Sequence, residues 1–344
     1  MNKFFIRTIL IVFLCLFFTT FCNDKDKAAN TDSKLWPNIE PYKSGFLKVS
    51  DIHEIYYELC GNPKGKPVFV LHGGPGASTS PYYRRFFNPG AYLIVLYDQR
   101  GAGKSKPLFE IRENTTQHLI EDIERLRKHL KLGKIMLFGG SWGSTLGIAY
   151  GETYPENVSG MVLRGIFTGT QEEIDHFYRG GVRPFFPQTY EKLEQTLGQA
   201  PSPQTILNLV QSEDPSERLK YSKAWTAYEV KLAELYIPDR RVQGLVNSRE
   251  LVNVVASLAL IENYYMANGC FFEKDQLLRD AYKIKDIPVV LINGRYDMIC
   301  PPVNAYRLHK LLNNSRLVIV ERAGHSMGEA YIEQALIRTM KEFE

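Results

Sequence analysis

An α/β architecture, a mostly parallel, doubly wound sheet with an inserted helical cap domain, is what this chain of 344 residues predicts. Three observations carry that expectation. Continuous apolar runs alternate with amphipathic segments through the first half of the chain. A glycine-flanked serine sits where one such run meets a helix. The alternation then stops over residues 167–285 and resumes afterwards. Strands buried on both faces read as unbroken apolar runs, and their alternation with helices is the signature of a parallel sheet. The length allows either one large domain with an insertion or two domains.

Taken in order, Gly45 to Tyr57 alternates and continues through Glu58-Leu59, the pattern of an antiparallel hairpin at a sheet edge. Pro67-Val68-Phe69-Val70-Leu71 and Tyr92-Leu93-Ile94-Val95-Leu96-Tyr97 read as inner strands. Thr115 or Thr116 caps a helix over 117–130, whose Leu119, Ile123, Leu126 and Leu130 share one face. Lys134 to Phe138 is a short buried strand, Ser144 to Tyr150 a helix, and Val158 to Arg164 the next strand. From about Phe167 to Tyr282 the chain is helix-like and aromatic. Strands return at Ile287–Asn293 and Arg316–Glu321. The core is therefore expected over 41–166 and 286–344, with the cap over 167–285.

Between strand and helix lies Gly139-Gly140-Ser141-Trp142-Gly143. A serine on so sharp a turn is held in a strained conformation with its hydroxyl clear of the sheet, and the helix beyond aims free N–H groups beside it. A hydroxyl needs a base, and the base an orienting acid. His325, in Ala323-Gly324-His325-Ser326, and Asp297, in Asn293-Gly294-Arg295-Tyr296-Asp297, each follow a strand. Ser141, Asp297 and His325 thus project from C-terminal strand ends, in the chain order of an α/β-hydrolase. Oxyanion donors are expected from the backbone N–H of Trp142 and from Gly74 in His72-Gly73-Gly74-Pro75-Gly76. Asp98-Gln99-Arg100-Gly101 reads as a post-strand turn bracing the site floor, with Arg100 paired to a buried carboxylate.

The net charge of +4 comes without a basic block and gives no nucleic-acid signal. Residues 1–22 differ from the rest: Lys3 and Arg7 precede an apolar run from Ile9 to Phe18, closed by Cys22, and a polar linker over 23–40 follows. This is the layout of an export signal, with an uncleaved anchor or a displaced start as alternatives. Cys22 stands where a bacterial lipoprotein is acylated, although Phe21 is bulky for the preceding position. The expected location is the periplasm or a membrane-anchored lipoprotein, a cytoplasmic enzyme being the alternative. Cys60, Cys270 and Cys300 form no disulfide framework, and no Cys/His cluster has zinc spacing, so no structural metal is expected.

His72–Gly76, Asp98–Gly101, Asn114-Thr115-Thr116, Gly139–Thr145, Leu163–Phe167, Gly294–Asp297 and Gly324-His325-Ser326 together resemble the prolyl aminopeptidase (proline iminopeptidase) family, from about Gly45 to the C-terminus. The resemblance implies a serine exopeptidase that removes N-terminal proline from peptides without metal or cofactor. It also implies that Glu229 and Glu262 bind the substrate amine, with Phe, Tyr and Trp side chains around an apolar slot. Ala77, Ser78, Ala102, Tyr228 and Tyr264 depart from the usual family residues and bear on pocket shape. A broader aminopeptidase or esterase of the same fold, and a catalytically idle surface binding protein, are the competing readings.

Overall fold

The computed structural model describes residues 34–344, and Leu35–Glu344 form one unit. The predicted signal, with Cys22, and the linker up to residue 33 lie outside the described residues. The later part of that linker belongs to the core instead. Trp36 N donates to Arg85 O at 2.8 Å, Arg85 Nε returns to Trp36 O at 2.9 Å, and Arg84 Nη1 reaches Ile39 O at 2.8 Å.

An antiparallel pair opens the sheet, β1 (Lys43–Lys48) and β2 (Glu54–Gly61). β3 (Lys66–Leu71), α1 (Pro81–Arg84), β4 (Tyr92–Tyr97) and α2 (Thr116–His129) follow. β5 (Ile135–Ser141) runs straight into α3 (Trp142–Thr153), and β6 (Val158–Ile166) ends the first half. After the insertion come β7 (Val289–Gly294) and β8 (Ser315–Val320). The reason for each inner strand is plain in its side chains. All six residues of β4 and of β7 are buried, because helices cover both faces of the sheet.

The eight strands order as β1-β2-β4-β3-β5-β6-β7-β8, where β8 is Ser315–Val320. β3 pairs parallel with both β4 and β5, β5 with β6, β6 with β7, and β7 with β8. Among the described residues only β2 runs against the other strands, pairing antiparallel with both β1 and β4. The C-terminal ends of β3, β5, β6, β7 and β8 therefore open on one edge of the sheet, where ligands gather in open α/β folds.

Between β6 and β7 the chain is helical: α4 (Gln171–Tyr178), α5 (Pro187–Leu197), α6 (Pro203–Val210), α7 (Pro215–Ala233), α8 (Asp239–Val246), α9 (Val252–Ala267) and α10 (Gln276–Asp280). α7 and α9 pack together, and Trp225 and Tyr228 of the one and Leu258 and Tyr265 of the other are all buried. α11 (Pro302–Leu311) and α12 (Ala330–Glu342) complete the core. Among the described residues no helix is long and apolar enough to cross a membrane.

Candidate active site

Ser141 is the last residue of β5 and the cap of α3, with φ 56° and ψ −127°, a region that L residues rarely occupy. The turn exists because its neighbours lack side chains. A Cβ on Gly139 would overlap the Gly143 carbonyl, and one on Gly143 would overlap the Leu71 carbonyl. The first N–H groups of α3 have no carbonyl one turn earlier to bond, and that of Trp142 lies next to Ser141.

Asp297 and His325, both buried, meet at this edge: His325 Nδ1 lies 2.8 Å from Asp297 Oδ2. The other carboxylate oxygen accepts from the N–H groups of Ile299, at 3.0 Å, and Cys300, at 2.8 Å. The acid is thereby fixed in one orientation, and Nε2 is the imidazole nitrogen left for a nucleophile. Beneath the pair lies Gly165 at φ 57°, where a Cβ would come 2.8 Å from His325 Cε1. No hydrogen bond joins Ser141 Oγ to His325; the hydroxyl lies by the Cys300 thiol, which burial and then Asp297 hold neutral, well above its ordinary range. A Ser–His contact thus requires side-chain movement, as is common before substrate completes a site.

The loop holding Gly74 lies against the elbow, since a Cβ on Gly73 would stand 3.5 Å from that of Ser141. Gln99 ties both expected oxyanion segments together. Its side chain donates to His72 O at 2.9 Å and accepts from Trp142 Nε1 at 2.9 Å, while its N–H donates to His72 Nε2 at 3.0 Å. That last bond leaves the His72 proton on Nδ1, which faces Gly73 O at 2.9 Å, and burial lowers the pKa of the ring. Arg100 pairs with buried Asp122 through Nε and Nη2, each at 2.7 Å.

Above the serine, Glu262 of α9 lines a narrow cavity of about 20 Å³ with Gly74, Ser141, Phe177, Tyr178 and Met266. Glu262 Oε2 accepts from Trp225 Nε1 at 2.7 Å. Glu229 of α7 is hydrogen-bonded to Glu262, and its buried Oε2 has no partner. Burial, and then the neighbouring Glu229 carboxylate, push Glu262 far above the carboxyl range. Burial lifts Glu229 to about 7. Burial and mutual repulsion thus bias both carboxyls toward the protonated form.

A family model of the alpha/beta hydrolase fold matches residues 66–329. A protein of Leptolyngbya boryana named "Probable proline iminopeptidase" is 45% identical over 314 residues, 90% of this chain and 97% of that one. Proteins named "Proline iminopeptidase" from Arabidopsis thaliana and Neisseria gonorrhoeae are 43% and 39% identical, covering 88% of this chain and 80% and 96% of theirs. The chain belongs to the proline iminopeptidase family of α/β hydrolases. Solved structures share its fold: an esterase from Exiguobacterium antarcticum superposes with a TM-score of 0.61 at 21% identity, over 87% of this chain and 98% of that one. An alpha/beta hydrolase from a Medee basin deep-sea metagenome gives 0.61 at 18%, over 87% and 97%.

Within this family fold, three features of the site escaped sequence reasoning. Arg164, inside β6, lies against Gly140 and donates from Nη1 to His325 O at 2.6 Å. Glu173 lines the same cavity and accepts from the N–H and hydroxyl groups of Thr168 and Thr170. Its signal was present as a capping box, Thr170-x-x-Glu173. Trp225, expected around the slot, stands behind it, stacked on Tyr178 at 4.7 Å and bonded to Glu262. Tyr228 likewise turns its hydroxyl to Phe177 O, at 2.8 Å.

Proposed function

We propose that this chain is a serine exopeptidase that releases N-terminal proline from peptides. Ser141 Oγ attacks the carbonyl carbon of the first residue as His325 Nε2 takes its proton, and Asp297 holds the imidazole in the required tautomer. The Gly74 and Trp142 amides receive the oxyanion, each such donor contributing about 3–4 kcal/mol in comparable sites. Collapse breaks the C–N bond, and His325 returns the proton to the leaving amine. Water then attacks the acyl-enzyme, giving its proton to His325, and free proline departs as Ser141 regains its hydrogen.

The observation that carries this reading is Glu262, which lines the cavity that also holds Ser141, backed by Glu229, whose buried Oε2 has no partner. Two buried carboxylates lacking a cation form a receptor for an ammonium group. An amine held at Glu262, in the wall that also holds Ser141, would set the first residue's carbonyl at the serine, which would make the activity exopeptidic. The cavity is smaller than a pyrrolidine ring, so Phe177, Tyr178 and Met266 must shift as substrate enters.

Ser141→Ala should lower turnover of a prolyl chromogenic amide by at least about 10⁴-fold. Substantial retained turnover would remove Ser141 from the mechanism, and equal rates on prolyl, alanyl and acetyl-ester substrates would favour the broader hydrolase. We further propose that residues 1–22 direct export and that Cys22 is acylated. Its support is the charged start, the apolar run and the cysteine that closes it. Mass spectrometry of the mature protein should find a diacylglyceryl-modified N-terminal Cys22; a retained Met1 would exclude both.

A further inference from the structure

Asp297 is one of several groups that hold His325. The His325 carbonyl accepts from Arg164, in the sheet. Its N–H, and that of Ser326, donate to Ala233 O at 2.9 and 2.7 Å. Ala233 closes α7, one turn beyond Glu229. Beside this contact, the Glu329 carboxylate accepts from Leu235 N at 2.8 Å through Oε1 and from Gly324 N at 2.5 Å through Oε2. One carboxylate thus bridges the backbone just after the cap helix and the backbone just before the base. The packing is close: a Cβ on Gly324 would lie 3.3 Å from Ala233 O, Glu329 Oε2 and Leu235 N alike.

We propose that Glu329 is a positioning residue that latches the cap helix bearing Glu229 to the loop bearing His325, so that the cap sets the orientation of the base. This rests on the reading of Ser141 and His325 as nucleophile and base. A carboxylate suits the task because both N–H groups meet an acceptor. A glutamine would present its NH₂ to one of them and leave that donor unpaired. A base turned away from the serine slows every acyl transfer, with or without a substrate amine. Loss of Glu229, in contrast, penalises only substrates that carry one.

The test compares Glu329→Gln with the wild type on proline p-nitroanilide and on p-nitrophenyl acetate, with sites counted by fluorophosphonate titration. The expected result is a fall in kcat of about 10–100-fold on both substrates, with KM within about threefold of wild type. Leu235→Pro is the second variant, since it deletes the cap donor alone. Glu234 already has φ −116° and ψ 149°, the conformation required before proline, and the Leu235 side chain is half-exposed. It should lower kcat in the same direction, and it decides the matter if Glu329→Gln does not fold. Unchanged kcat per titrated site in a folded variant, even with a lowered Tm, would overturn the latch and leave Glu329 a structural residue. Failure of the wild type to be labelled at Ser141 would overturn the functional reading and the latch together.

Discussion

On the sheet side of the molecule, Asp122 is buried against Arg100, which meets both of its oxygens; in the cap, Glu229 and Glu262 are buried against each other. Among the described residues neither cap glutamate has a salt-bridge partner, and one oxygen of Glu229 has no partner at all. Arg84 and Glu58 repeat the first arrangement at the far side of the sheet, 2.8 Å apart. The buried pairs of opposite charge are complete within the fold and hold elements together. The pair of carboxyls is incomplete and raises the energy of the protein when ionised, a cost that an ammonium group held there, as proposed, would remove.

The largest expected effect is on the complete pair. Asp122→Asn strands a buried guanidinium and should cost about 3–5 kcal/mol in denaturant unfolding, with turnover per folded molecule close to wild type. A loss below about 1 kcal/mol would break the contrast. Glu262→Gln should do the reverse. Stability should hold or rise, while kcat/KM for a prolyl amide falls by about 10–100-fold, the scale of one charged hydrogen bond, and hydrolysis of a small ester is spared. Equal losses on both substrates would argue against amine capture.

The pH dependence sharpens the comparison. Because the folded-state pKa of Glu229 is raised from 4.5 to about 7, and that of Glu262 further, the protonated pair favours folding. That stability is fully present below about pH 4.5 and is lost as pH rises through about 7. Wild type should therefore lose stability across this window relative to a Glu229→Gln, Glu262→Gln double variant. Over the same window, kcat/KM for amine substrates should rise as the pair gains charge, then fall once the substrate amine deprotonates near pH 8. The baseline is an exposed pair: Arg295→Ala, which removes a 2.8 Å contact with Glu321, should change stability by less than about 1 kcal/mol.

Much of the sheet was legible because its strands are buried on both faces and carry unbroken apolar runs, as in β3 and β4. Ser141, Asp297 and His325 were readable as candidates from their place after such runs. Boundaries drifted where backbone geometry, not pattern, ends an element: β5 extends through Gly139 and Gly140 to Ser141, and α3 starts at Trp142. Thr115 caps α2 by position but makes no side-chain capping bond. Glu229 and Glu262 were reachable only through resemblance, because a glutamate on a helix has no local mark of burial. Arg164 and Glu329 had no legible signal, since their partners are backbone atoms, at His325 for Arg164 and at both Gly324 and the distant Leu235 for Glu329.

Taken alone, the order of residues determined which segments become buried strands, where a serine can sit on a strained turn, and that an acid and a base follow later strands. Periodicity and glycine placement are local properties, and local sterics read them directly. Tertiary structure decided the strand order, the meeting of two helices that buries two carboxylates side by side, and the contacts that fix His325 from both sheet and cap. Those depend on distances between segments scores of residues apart, which are set only when the whole core closes.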